Sequence, residues 1–245
     1  MKVLKEYLDY IEKTKKLSKN TVASYNRDLK KYIEYLNSKE INILDVVEND
    51  IISYLIELEK ENISVSSISR MISSIKSYHD YLFFNGLAKN DPAKNIKKPK
   101  VKREEVEILT EEEVDKLLKF EDLSTPKKIR DKAIFEVLYG TGIKVSELID
   151  MNLEDIDLDI DYIYCGSSKN QRVIPLCEAT KFYLLKYINE SRDLLTYPEE
   201  KALFVNAQGQ RFTRQGLWKL IKKYAKEADI NKNINPTTLR HSFAI

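Results

Sequence analysis
Apolar residues recur every three or four positions through the first hundred residues. Val3, Leu4, Tyr7, Leu8 and Ile11 make one such face. Ser18 is placed to cap a second helix from Lys19 to about Asn37, whose apolar side carries Val22, Tyr25, Leu29, Tyr32, Ile33 and Leu36. A third run, about Asn49 to Lys60, holds Ile51, Ile52, Leu55, Ile56 and Leu58. A fourth starts near Ser64 and continues to Phe83, where Asn85-Gly86 is a stop signal. Four helices on short loops predict an all-α domain. Tyr25, Tyr32, Tyr78 and Tyr81 share the helical spacing and read as core.

Beyond residue 106 the pattern is mixed. Thr110 with Glu113 forms a capping-box signature ahead of Val114, Leu117 and Leu118. The spacing predicts a helix from about Pro126 to Tyr139, stopped at Gly140-Thr141-Gly142, then a short one from Val145 to Met151. Ile156 to Tyr164 alternates apolar and acidic residues, the period of a half-buried strand. A turn at Gly166 to Asn170 and a return strand from Arg172 to Leu176 complete a hairpin. Helical spacing resumes from Ala179 to Leu195. A second small hairpin is expected from Leu203-Phe204-Val205 and Arg211-Phe212. Thr213 caps the next helix, and Asn235 to Ile245 begins a last one.

Charge refines this outline. The chain of 245 residues has 41 Lys+Arg against 39 Asp+Glu, so its net charge is only +2. A nucleic-acid binder is usually more basic, but the charge is unevenly spread. Asn85 to Arg103 contains Lys89, Lys94, Lys97, Lys98, Lys100, Lys102 and Arg103 against the single acid Asp91, with Pro92 and Pro99 opposing a continuous helix. Residues 1–106 hold 20 basic and 16 acidic side chains, leaving 21 and 23 for residues 107–245. The expected organisation is an N-terminal helical domain over 1–88, a basic linker over 89–106 and a C-terminal domain over 107–245. Six glycines and six prolines exclude a collagen-like or low-complexity chain. Cys165 and Cys177 are too few for a disulfide framework and favour a reducing, cytoplasmic setting. Every apolar run is too short for a signal peptide or a membrane span.

Three segments carry a resemblance. Gly140-Thr141-Gly142-Ile143-Lys144-Val145-Ser146-Glu147-Leu148, the hairpin Gly166 to Leu176, and Thr237-Thr238-Leu239-Arg240-His241-Ser242-Phe243-Ala244 stand in the chain in that order. Together they resemble the conserved boxes of the tyrosine recombinases, the integrase and Xer family, and the likeness covers nearly the whole chain. It implies two domains: an all-α, SAM-like core-binding bundle, and a mainly helical α+β catalytic domain with a small antiparallel sheet. The latter is expected to stop short of its usual C-terminus. The implied partner is double-stranded DNA, with itself or a full-length related recombinase as a second partner. No cofactor or metal is implied.

That family attacks a scissile phosphate with a tyrosine, and arginines, histidine and lysine stabilise the transferring phosphoryl group. Guanidinium forks suit this task because they match phosphate oxygens two at a time. In this chain the first arginine position is Lys144, a point donor and not a planar fork. The hairpin lysine position is Ser167, with Lys169 in the same turn as a stand-in. The first histidine position is Thr237, the second arginine is retained as Arg240, and the tyrosine box would lie beyond Ile245. The expected catalytic remnants are therefore Arg240, Lys144 and Lys169. The expected DNA contacts are Lys97, Lys98, Lys100, Lys102, Arg103 and Arg172. Simpler readings stand beside these: Lys144 as a solvated helix-start charge, Arg172 as a strand-edge charge, the lysine run as a soluble linker. Three functions follow: a DNA-binding recombinase body unable to cut alone, a shortened or decayed recombinase, or a helical module that binds a partner recombinase.

Overall fold
The structure is a computed structural model that describes residues 2–100, 108–120, 122–166, 171–232 and 234–243. The chain divides into two compact units, residues 1–104 and 105–245.

In the first unit, α1 (Lys2–Lys13), α2 (Lys19–Ser38), α3 (Glu48–Lys60) and α4 (Val65–Phe84) follow the apolar spacing. Ser18 and Ser64 cap α2 and α4: their hydroxyls accept the backbone N–H of Thr21 at 3.2 Å and Ser67 at 3.3 Å. At α3 the cap comes from inside the helix, where the Asp50 carboxylate accepts the Val47 N–H at 2.9 Å. Gly86 ends α4 in a left-handed conformation, φ 66°. Tyr7, Ile11, Leu29, Tyr32, Ile51, Ile75, Tyr78 and Leu82 are buried where the four helices meet. Ala93 and Ile96 join this core. Lys76 on α4 donates to the carbonyls of Lys94 and Ile96, at 2.9 and 3.0 Å. The start of the basic segment is thus folded onto α4.

One polar pair sits inside this bundle. His79 is 1% exposed, and its Nε2 lies 3.0 Å from the Tyr32 hydroxyl. Burial lowers the His79 pKa from 6.5 to about 4. Between those values the unfolded chain binds a proton that the folded chain refuses, so stability is lost as pH falls. The expected loss from pH 7 to 4 is about 3 kcal/mol from this group. Acid titration of the bundle's melting temperature checks it: His79→Gln should flatten this part of the profile, and an unchanged profile would contradict the assignment.

The second unit contains α5 (Glu111–Leu118), α6 (Pro126–Thr141), α7 (Val145–Asp150), β1 (Ile156–Asp157), β2 (Tyr162–Cys165), β3 (Arg172–Pro175), α8 (Glu178–Glu190), α9 (Arg214–Glu227) and α10 (Pro236–Phe243). The strands form an antiparallel sheet in the order β1-β2-β3, with Asp157 opposite Tyr162 and Cys165 opposite Arg172. Helix α6 is central and packs against α8 and α10. It is buried on nearly all sides, so even Arg130, Asp131, Lys132 and Glu136 lie inside. Their charges are paired: Arg130 donates to Asp131, and Lys132 lies 2.6 Å from Glu136. Among the described residues no helix is long and apolar enough to cross a membrane.

Three local expectations change. The alternating run at 156–164 is two short strands, not one. Asp157 Oδ1 accepts the N–H groups of Asp159 and Ile160, which folds the chain into a turn, and Asp161 closes it at φ 61°. The helix expected to reach Leu195 stops at Glu190, followed by a 3₁₀ turn at Arg192–Leu194. There the buried Arg192 guanidinium donates to the carbonyls of Glu200 at 2.5 Å and Ala202 at 2.8 Å. The second hairpin is reduced to a single bridge, Val205 with Arg211. Its first arm pairs elsewhere: Leu203 N–H donates to Met151 O at 2.9 Å, and Leu153 N–H to Lys201 O at 3.0 Å.

Candidate nucleic-acid interface
The Gly-Thr-Gly segment closes α6 for two separate reasons. A Cβ on Gly140 would lie 2.3 Å from Thr180 Oγ1, so glycine permits the close approach of α8. Gly142 adopts φ 57° and terminates the helix. Ile143 is then buried, and Lys144 emerges exposed at the start of α7. Its backbone N–H donates to Glu147 Oε2 at 2.8 Å.

Glu147 also grips the sheet. Its Oε1 and Oε2 accept Arg172 Nη1 and Nη2 at 2.7 and 2.8 Å, a fork-to-fork pair between α7 and β3. The Arg172 guanidinium, helped by the Lys144 backbone, lowers the Glu147 pKa to about 2. The pair joins the Lys144 helix start to the strand that follows the hairpin turn. Arg172 is therefore held by a carboxylate, with its side chain still 43% exposed. Lys169, with Ser167, lies outside the described residues.

The last helix is fixed with similar care. Asn235 and Thr238 cap each other: Asn235 Oδ1 accepts Thr238 N–H at 3.0 Å, and Thr238 Oγ1 accepts Asn235 N–H at 3.3 Å. Ser242 Oγ donates to Thr238 O at 2.9 Å and accepts the Leu109 N–H at 3.0 Å. This ties α10 to the start of the unit. Leu239 is buried, and Arg240 follows it on a helix packed against α6. Among the described residues, Arg240 Nη1 is buried without a hydrogen-bond partner, as is His241 Nδ1. A buried cationic nitrogen left without an acceptor is costly. The acceptor that suits it best is an anionic oxygen.

On the first unit, Lys97, Lys98 and Lys100 are exposed, and none forms an ion pair among the described residues. Lys102 and Arg103 lie outside the described residues. Geometry thus brings together Lys144 and Arg172 through Glu147. Sequence reasoning missed Glu147, although its place three residues after Lys144 is a capping-box spacing. It also missed the Asp131 carboxylate, which accepts from Arg130 and from Tyr224.

The second unit is thus a helical, small-sheet body that presents cationic groups from a helix start, a strand and a late helix. Known proteins are similar to this chain in sequence and fold. The phage integrase family matches residues 107–245, and the phage integrase N-terminal SAM-like domain matches residues 4–86. The tyrosine recombinase XerD of Oceanobacillus iheyensis is 41% identical over 246 residues, covering 98% of this chain and 82% of that protein. The tyrosine recombinase XerC of Roseiflexus castenholzii is 36% identical, covering 98% of this chain and 78% of that protein. The crystal structure of the XerH site-specific recombinase, bound to a palindromic difH substrate, shares the fold. Its TM-score is 0.75 at 19% identity, covering 98% of this chain and 72% of that one. The chain belongs to the phage integrase family and is a Xer-like tyrosine recombinase by lineage.

Proposed function
We propose that the chain binds duplex DNA as a site-specific recombinase body whose phosphate-activating set is reduced, so that it holds its site without cutting it alone. The unpartnered Arg240 Nη1, presented from an anchored α10, is the observation that carries this reading. It is read as a phosphate-binding group, with no acceptor among the described residues. Beside it the set is weakened. Lys144 replaces a planar fork by a point charge, Ser167 lacks a positive charge, and Thr237 lacks an imidazole. Each loss of a transition-state donor in such a site costs on the order of 10²–10³ in rate.

In this reading residues 1–88 are the core-binding domain, 89–106 a linker lying along the DNA, and 107–245 the recombinase-like domain. Lys97, Lys98, Lys100, Lys102 and Arg103 contact phosphates, and Lys169 is the cation of the hairpin turn. Arg172 serves first to hold Glu147 and offers its exposed edge to DNA. A second copy of the chain or a full-length related recombinase shares the site, and the full-length relative supplies the cut. The setting is cytoplasmic. A nicked suicide duplex carrying the relatives' type of site tests the claim. No covalent 3′-phosphotyrosyl adduct should form with the purified chain, and any such adduct overturns it.

A further inference from the structure
We propose that Arg70 on α4 is a base-reading residue that recognises a guanine edge, held in place for that task by the buried carboxylate of Asp28 on α2. This rests on the DNA-binding reading above and adds where sequence preference arises.

Asp28 is 3% exposed, while the Arg70 side chain it binds is 40% exposed. The contact is one-sided: Arg70 Nη1 donates to Asp28 Oδ2 at 2.6 Å, and no other partner of the guanidinium is found among the described residues. The remaining N–H groups stay free on an arginine whose direction is fixed. A plain surface ion pair would leave both partners in water and order neither. Here a buried acid holds one end of the fork and leaves the rest available. Pre-ordering of this kind lowers the entropy cost of a two-point hydrogen bond.

The neighbourhood suits a groove. Helix α4 buries one face, from Ile68 and Met71 to Tyr78 and Leu82, and its accessible side runs through Ser66, Ser69, Arg70, Ser73, Lys76, Ser77 and Asp80. Serines on either side of one long side chain allow a helix to approach base edges closely. Ser73 turns its hydroxyl back to Ser69 O at 2.9 Å, which leaves Arg70 as the projecting donor. Exposed Arg27 and Lys31 flank Asp28 on α2. Burial raises the Asp28 pKa, and Arg70, then Arg27 and Lys31, pull it back. Three cations around one buried acid leave an anion-attracting face. A fork that donates twice matches O6 and N7 of guanine, the commonest arginine contact in the major groove.

The test selects binding sites for the full chain from a duplex library with randomised positions. Wild type should enrich guanine at one position by roughly 5- to 150-fold over the other bases. Arg70→Lys keeps a cation beside Asp28 and should bind random duplex with nearly the same salt dependence, yet lose that preference. A merely structural Arg70 would leave the selected base unchanged. As a second measurement, 7-deazaguanine at the selected position should weaken wild type about 5-fold or more and leave Arg70→Lys unaffected. This also decides the matter on wild type alone should the variant fail to fold. If the wild-type chain binds no duplex, the DNA-binding reading falls and this inference with it. If it binds but shows no guanine preference, or Arg70→Lys keeps that preference, or 7-deazaguanine has no effect on wild type, this inference alone is overturned.

Discussion

Asp131→Ala should lower the stability of the second unit by about 3–5 kcal/mol, the cost of removing one partner from a buried ion pair. Asp131 is 4% exposed. Its Oδ1 accepts Arg130 Nε and Nη2 at 2.9 and 2.6 Å, and its Oδ2 accepts the Tyr224 hydroxyl at 3.0 Å. Without the carboxylate, Arg130 keeps, among the described residues, Val205 O at 3.0 Å and the face of Phe212 5.1 Å away. A cation that is 5% exposed would then face an uncompensated burial. Tyr224→Phe keeps the ring against Phe120 and Phe135 and should cost only about 1 kcal/mol. Trp218 on α9 is the single tryptophan of the chain, so urea unfolding followed by its fluorescence reports on this unit. Domain stabilities are typically about 5–15 kcal/mol, so the alanine variant should show a midpoint shifted far down or no folded baseline. A shift equivalent to less than about 1 kcal/mol would mean that the carboxylate does not hold Arg130.

Local chemistry was legible in the sequence, and long-range pairing was not. Ser18, Ser64, Thr110 and Thr213 stand where side-chain oxygens satisfy free N–H groups. Each begins its helix as the spacing predicts. The tyrosines at helical spacing, Tyr32 and Tyr78, are buried. What failed was decided by side chains acting at a distance along the chain or at an unmarked turn. Asp157 bends an alternating run that otherwise reads as one strand. Arg192 collects carbonyls ten residues on, where helix continuation looked equally good. In the site the same division holds. The three boxes fix which residues sit at α7, the hairpin and α10. They do not reveal that Glu147 occupies both ends of the Arg172 fork, 25 residues away. Nor do they reveal that Arg130 and Asp131, which look like solvated helix charges, lie inside.

The second large effect is electrostatic. A chain of net charge +2 can bind DNA tightly only if its cations are concentrated where phosphates lie. Six proposed phosphate contacts, Lys97, Lys98, Lys100, Lys102, Arg103 and Arg240, set the expected salt dependence. Each neutralised phosphate releases condensed counterion and contributes about −0.9 to the slope of log affinity against log salt. Six contacts give a slope of about −5, which is a loss of roughly 10³ in affinity between 50 and 200 mM salt. Replacing Lys97, Lys98 and Lys100 together with alanine removes three of them and should flatten the slope by about 2.7. These side chains are exposed, so the variant should fold as the wild type does. Arg240→Ala should flatten it by about one contact and, unlike the surface lysines, relieve an orphaned buried nitrogen in the free protein.

Duplex binding is tested most directly by titrating the purified chain with DNA at stepped salt concentrations. The expected result is tight binding at low salt, a log–log slope of about −5, and a shallower slope in the triple lysine variant. No binding at low salt, or an affinity that hardly changes between 50 and 200 mM, would contradict a duplex-binding recombinase body. It would favour a module that recognises protein instead.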